Sequence, residues 1–179
     1  MTQRFRLNTY SLQDFTLNVL NGNSLGIIIA LIPAALTSQL LTFFGQHPWV
    51  TTVTMMTNVA QSMLPIIAAF AVGAFLRLGT LESAAIALAS IVSGGVVHSN
   101  SNGLYTLAGS GAILNVMLVT YLSAGLVLLL QDKLGQLKLI FLPTIVLLVG
   151  GSIGLVTLPW MLTIQGFIGS LVASATHFS

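Results

Sequence analysis

Residues 93–115 read SGGVVHSNSNGLYTLAGSGAILN. The stretch has no charged side chain, yet it sets Ser93, His98, Ser99, Asn100, Ser101 and Asn102 among glycines, between segments apolar enough to enter a membrane. Just upstream, SAAIALASIVSGGVV (83–97) is too short to span comfortably, because a crossing helix needs about 20 apolar residues. A short helix that runs into Gly- and Ser-rich chain is the pattern of a broken or re-entrant segment. Non-helical backbone at membrane depth persists only where protein or water surrounds it. Two readings stand side by side. The stretch is either a polar outer loop, or a site whose hydroxyl, amide and imidazole groups hydrogen-bond an uncharged solute.

The rest of the composition says what kind of chain surrounds it. Of 179 residues, 55% are hydrophobic and 4% charged, and the mean hydropathy is +0.99. Soluble domains carry roughly 25% charged residues, so this chain cannot cover a water-facing surface. It reads as an integral membrane protein. Five basic residues against three acidic give a pI near 9.4, an imbalance too small to point to nucleic acid. The absence of cysteine excludes disulfides, thiolate metal sites and a cysteine nucleophile. His98 has no second ligand at helical spacing, so neither a metal nor any other cofactor is expected.

Working outward, GAILNVMLVTYLSAGLVLLL (111–130) and LIFLPTIVLLVGGSIGLVTL (139–158) are clear spans, followed by a shorter candidate, WMLTIQGFIGSLVASA (160–175). On the other side lie SLGIIIALIPAALTSQLLTFF (24–44) and VTMMTNVAQSMLPIIAAFAVGAFL (53–76). The N-terminus has basic residues but no apolar core before Gly22, unlike a cleavable signal peptide. From Ser11, the spacing of Leu12, Phe15 and Val19 opposite Gln13, Asp14 and Asn18 predicts a short amphipathic helix on the membrane surface. Ser11 and Asp14 form a variant of the capping box. The expected fold is therefore all-α: a cytoplasmic amphipathic segment over 1–23 and a transmembrane domain over 24–179. That domain should hold five to six membrane segments, one of them broken or re-entrant.

Alternating these segments from a cytoplasmic N-terminus puts Arg4, Arg6, Arg77, Lys133 and Lys138 all on the inner side. The outer connections 45–52 and 98–110, and the turn expected at Pro159, carry no Lys or Arg. That asymmetry is the one the positive-inside rule demands of short loops. Trp49 and Trp160 then read as anchors at the outer interface, with His47 and His177 facing interfacial water.

Pro33, Pro65 and Pro143 each remove a backbone hydrogen bond inside an apolar run, and are candidate pivots as well as packing features. The pairs Gly22–Gly26, Ala69–Gly73 and Gly150–Gly154 read as close helix contacts. Arg77 and Glu82 suit the dipoles of a helix end and a helix start, with Thr80 between them as the expected N-cap. Glu82 is also the chain's single glutamate, and so a candidate solute or proton ligand. Asn58, Gln61, Asn115 and Gln165 are expected to hydrogen-bond across helices. Asn115 is the last residue of the opening stretch and lies close enough to its polar run to join a site there. The candidate substrate-binding set is thus His98, Ser99, Asn100, Asn102, Asn115 and Glu82, with no catalytic residue.

Three blocks, LNGNSLGIIIALIPAALTSQLL, SGGVVHSNSNGLYTLAGSGA and QDKLGQLKLIFLPTIVLLVGGSIGLV, occur in an order that resembles one family. It is the EIIC-type membrane subunit of the bacterial phosphotransferase system, in the branch with perfringolysin-regulator-like proteins. The likeness runs through most of the chain and includes Pro143, Gly150 and Gly151. It implies a polytopic sugar carrier in the bacterial plasma membrane, served by separate soluble phosphocarrier subunits. It further implies that family members continue with more spans, so that this chain is part of a larger EIIC-like domain. Such a part exposes helix faces for a second copy or a partner membrane chain. A membrane sensor of solute with the same fold is the alternative. A holin-like pore does not fit, since that class relies on few spans and a charged tail.

Overall fold

Ser11 starts the first helix. Its Oγ accepts the backbone N–H of Asp14 at 3.1 Å and donates to the Asp14 carboxylate at 2.8 Å, closing the expected capping pair. In the computed structural model, which describes residues 11–45, 47–99 and 103–176, helix α1 then runs unbroken from Leu12–Leu41. Residues 12–23 are thus the first turns of a helix about 45 Å long, not a separate surface helix. Their apolar stripe has another partner: Phe15 and Val19 are buried in the bundle core. Asn23, which a surface helix would leave in water, hydrogen-bonds Thr120 across helices at 2.9 Å.

The segment 53–76 is broken where the sequence read as one span. Helices α2 (Pro48–Ser62) and α3 (Leu64–Phe75) meet at a bend of 47°. Pro65 lacks the N–H that would bond the Gln61 carbonyl, so the helix cannot continue straight. Helix α3 ends with the N–H groups of Arg77 and Leu78 on the carbonyls of Ala74 and Gly73, at 3.1 and 2.8 Å. This is a Schellman closure that puts Arg77 at φ 52°, where glycine is usual. Next comes α4 (Thr80–Ser93), whose cap position falls on Gly79 and not on Thr80. Strands β1 (Val97–Ser99) and β2 (Tyr105–Leu107), α5 (Ile113–Leu130), a 3-10 turn at Gly135–Leu137 and α6 (Lys138–Thr176) complete the described chain.

Three of these helices are long and apolar enough to cross a membrane, or four with the bent α2–α3 pair taken as one span. The count of full-length helices falls short of the expected five to six at two places. Helix α4 has 14 residues, about 21 Å, against a hydrocarbon core of roughly 30 Å. The two segments expected on either side of Pro159 form a single helix of 39 residues. A lone proline removes one hydrogen bond and kinks a helix; reversal needs turn residues, and LVTLPWML supplies none.

Helix α1 lies antiparallel on α3, where glycine removes the usual spacing: a Cβ on Gly22 would come within 2.5 Å of the Val72 backbone. Gly26 meets Ala68 in the same way. Helix α6 runs parallel to α4, with Lys138 paired to Glu82 at their starts and Gly154 against Ser93 further along. Helix α5 packs against both, Gly150 facing Ser123. The three small-residue pairs are therefore close contacts. Between the helices lies one apolar core built on Val72, Leu76, Ile86, Val119, Val127 and Val146. The starts of α1, α4 and α6 and the ends of α3 and α5 share one end of the bundle, where Arg77, Lys133 and Lys138 gather.

Beyond this core the helices separate. Ser62 is the one buried residue of α2, and none of residues 155–174 in α6 is buried. Gly22→Leu is expected to destabilise the protein by about 2 kcal/mol or more through overpacking. Gly166→Leu, which meets nothing within 4 Å, should leave stability unchanged. Thermal unfolding of the two variants in detergent checks the contrast.

Candidate functional site

The opening stretch folds as a β-hairpin. After Ser93 the chain turns through Gly94 and Gly95, and Val96 is fully buried. The excursion is tied at its base by Ala108 N–H on the Val96 carbonyl at 2.9 Å and Ala112 N–H on the Gly94 carbonyl at 2.7 Å. Gly111 has φ +68°, and a Cβ there would strike the Gly94 carbonyl, so glycine is required for the return. The strands pair Val97 with Leu107, His98 with Thr106 and Ser99 with Tyr105. All six strand residues are exposed. His98 and Ser99 therefore stand on the open surface of β1, while Asn100 and Asn102 lie outside the described residues.

Asn115 sits in the first turn of α5 and is fully buried. Its amide donates to the carbonyls of Ser93 at 2.7 Å and Gly154 at 2.9 Å. Its carbonyl accepts the Thr157 hydroxyl at 2.7 Å. One side chain thus joins the end of α4, the start of α5 and the middle of α6. This is the cross-helix role expected of a membrane amide. It leaves no amide N–H for a ligand.

Glu82 is placed at the other end of α4, ion-paired with Lys138. Eleven residues of helix separate it from Ser93, about 16 Å. The four candidates among the described residues therefore do not converge. Two face outward on the hairpin, two lie outside the described residues, one knits helices and one closes the basic end.

Among the described residues the buried side-chain atoms without a partner are the Ser123 hydroxyl and the Gln165 amide oxygen. Gln165 therefore does not make the cross-helix bond expected of it. Two further unpaired amides lie on the more open face of α2. Thr51, Thr54, Asn58 and Gln61 recur at helical spacing and line two concavities flanked by α1 and, at one edge, by Leu107 of the hairpin. Asn58 and Gln61 were expected to bond across helices. Among the described residues their amides meet no hydrogen-bonding partner. The bend at Pro65 explains this, because it carries α2 away from the core that satisfies Asn23 and Asn115. The sequence showed the two amides; what it lacked was the break.

The family model described as "Phosphotransferase system, EIIC" matches residues 17–179. The match is to the family as a whole and does not single out the regulator-like branch. No curated relative and no solved structure matches the chain.

Asn115→Ala should cost about 1–3 kcal/mol, since it takes the amide donor from the Ser93 carbonyl at the end of α4, while the Thr157 hydroxyl keeps the Ile153 carbonyl as a partner. His98→Ala, on the exposed strand, should cost nothing measurable. Thermal midpoints in detergent test both, and equal midpoints would remove Asn115 from its structural role.

Proposed function

Because the chain belongs to the phosphotransferase-system EIIC family, we propose that it acts as the membrane subunit, or a subunit half, of a phosphotransferase-type sugar transporter. The observation that carries this reading is the family match across nearly the whole of an apolar, multi-pass helical bundle. Sugar is the cargo and soluble phosphocarrier subunits supply the phosphoryl group. The chain's own task is passage, which asks for uncharged hydrogen-bonding groups along a protein-lined path. His98 and Ser99 on the hairpin, with Asn100 and Asn102 next in sequence, meet the solute at the outer mouth. Asn115 and Glu82 act behind them, one by holding α4, α5 and α6 together and the other by closing the basic end.

The membrane is the bacterial plasma membrane, with the N-terminus in the cytoplasm. Arg77, Lys133 and Lys138 share one end of the bundle, Arg4 and Arg6 precede α1, and basic residues favour the cytoplasmic side. Five segments then alternate: α1, the bent α2–α3 pair, short α4 extended by the hairpin, α5 and α6. The unburied stretch 155–174 of α6 supports association with a second copy or a partner membrane chain.

Uptake of labelled sugars into proteoliposomes, with soluble phosphocarriers supplied, tests the function. Saturable uptake of at least one sugar is expected; binding without uptake would replace transport by solute sensing. Orientation is tested separately in the cysteine-free chain. Gln136→Cys should resist a membrane-impermeant thiol reagent in intact cells while Ser99→Cys reacts. Labelling of the first from outside would invert the topology.

A further inference from the structure

In the groove beside α2 two neighbouring amides, the exposed Asn58 and the half-buried Gln61, find no hydrogen-bonding partner among the described residues, on a helix apolar enough to form part of a membrane span. An amide left unpaired in hydrocarbon costs several kcal/mol, so Asn58 and Gln61 must meet water, a ligand or another polypeptide. We propose that this groove is a binding site for a neutral polyhydroxy solute, gripped by the Asn58 and Gln61 amides. The proposal rests on the transport reading and assigns it a site that the opening stretch alone does not provide.

Size, charge and hydrogen-bonding capacity all favour that occupant. The concavity between the start of α2, the α1–α2 turn and Leu107 holds about 540 Å³, and the one between α1 and α2 about 340 Å³. Both lie in the usual range of small-molecule sites. They share Thr54 and Asn58, so they form two halves of one groove. No charged side chain lines either half, which leaves an ionic ligand without a counter-charge.

The remaining polar groups are split between donors and acceptors. Thr54 and Thr57 spend their hydroxyl protons on the carbonyls of Val50 and Val53, at 2.9 and 3.2 Å. Their oxygens can then only accept, while the two amides offer both donors and acceptors. The bend at Pro65 also deprives the Gln61 carbonyl of its usual donor at the same place. A ligand that must donate and accept within a few ångströms, without charge, is a vicinal polyol. Met55 and Val59 supply apolar wall, which suits the C–H face of a pyranose ring. Broken membrane helices are where transporters characteristically place solute sites.

The test uses the full chain in lipid nanodiscs. Val50→Cys puts a single thiol in the groove without touching the hydrogen-bonding groups, and Ser99→Cys puts one on the hairpin. The rate of maleimide labelling is measured against a hexose, a hexitol, a disaccharide and a hexose phosphate. A neutral polyol should slow labelling of Val50→Cys saturably, by roughly tenfold or more, and the hexose phosphate should not. Added Asn58→Ala or Gln61→Ala should each raise the protecting concentration about tenfold, the equivalent of one lost hydrogen bond. Having both variants guards against one that fails to fold. A solute that is taken up yet protects only Ser99→Cys overturns the groove and leaves transport standing. Absence of any uptake or binding overturns both. Disulfide formation between two Val50→Cys chains, unaffected by solute, would make this face an interface between copies and also overturn the proposal.

Discussion

Hydrocarbon offers no hydrogen bonds, so every polar group inside this bundle has to be answered by another part of the protein or by something that enters it. The Asn115 amide is where that constraint is met most completely. Helix α4 stops at Ser93, short of a full crossing, and its freed carbonyls would otherwise face apolar surroundings. Asn115 takes the Ser93 carbonyl, the Gly154 carbonyl and the Thr157 hydroxyl together. The hairpin can leave the bundle there because the helix end beneath it is already satisfied. The same rule governs α1, where Asn23 and Thr120 satisfy each other across the core.

On α2 the Asn58 and Gln61 amides find no partner among the described residues, and the proposed solute site lies there. The bend at Pro65 separates a packed half, α3 against α1 and α4, from a polar half that the core does not reach. The packed half is tight enough that Gly22 and Gly26 leave no room for a side chain. A rigid core with one poorly packed, polar helix beside it is a reasonable arrangement for a carrier. The core holds the geometry, and the loosely packed element has the freedom that alternating access needs.

The apolar class, the Ser11 cap, the glycine contacts and the clustering of basic residues at one end were all legible in the sequence. Each depends on local pattern or on charge counted over short loops. The number of spans was not legible, for two physical reasons. Pro159 reads as a turn only if neighbouring residues can turn, and they cannot. Residues 12–23 read as a surface helix because Leu12, Phe15 and Val19 lie opposite Gln13, Asp14 and Asn18, whereas Phe15 and Val19 face the bundle core. Glu82 stands close in sequence to His98 and Ser99, yet α4 carries its two ends far apart, and only Asn115 among the described candidates meets the hairpin end of that helix. Asn58 and Gln61 were visible as amides, and only the bend showed that they lacked partners.

Solute binding on α2 requires its polar face to be wetted while the rest of the bundle meets lipid or protein. Methionine reports this directly, because Met55 lies in the groove, Met117 on α5 and Met161 on the free stretch of α6. Hydroxyl-radical footprinting of the protein in nanodiscs, read by mass spectrometry, compares their oxidation rates. Oxidation of Met55 well ahead of both Met117 and Met161 is the predicted result. Met55 as protected as Met161 would show that α2 lies dry against lipid or another chain, and would contradict the account.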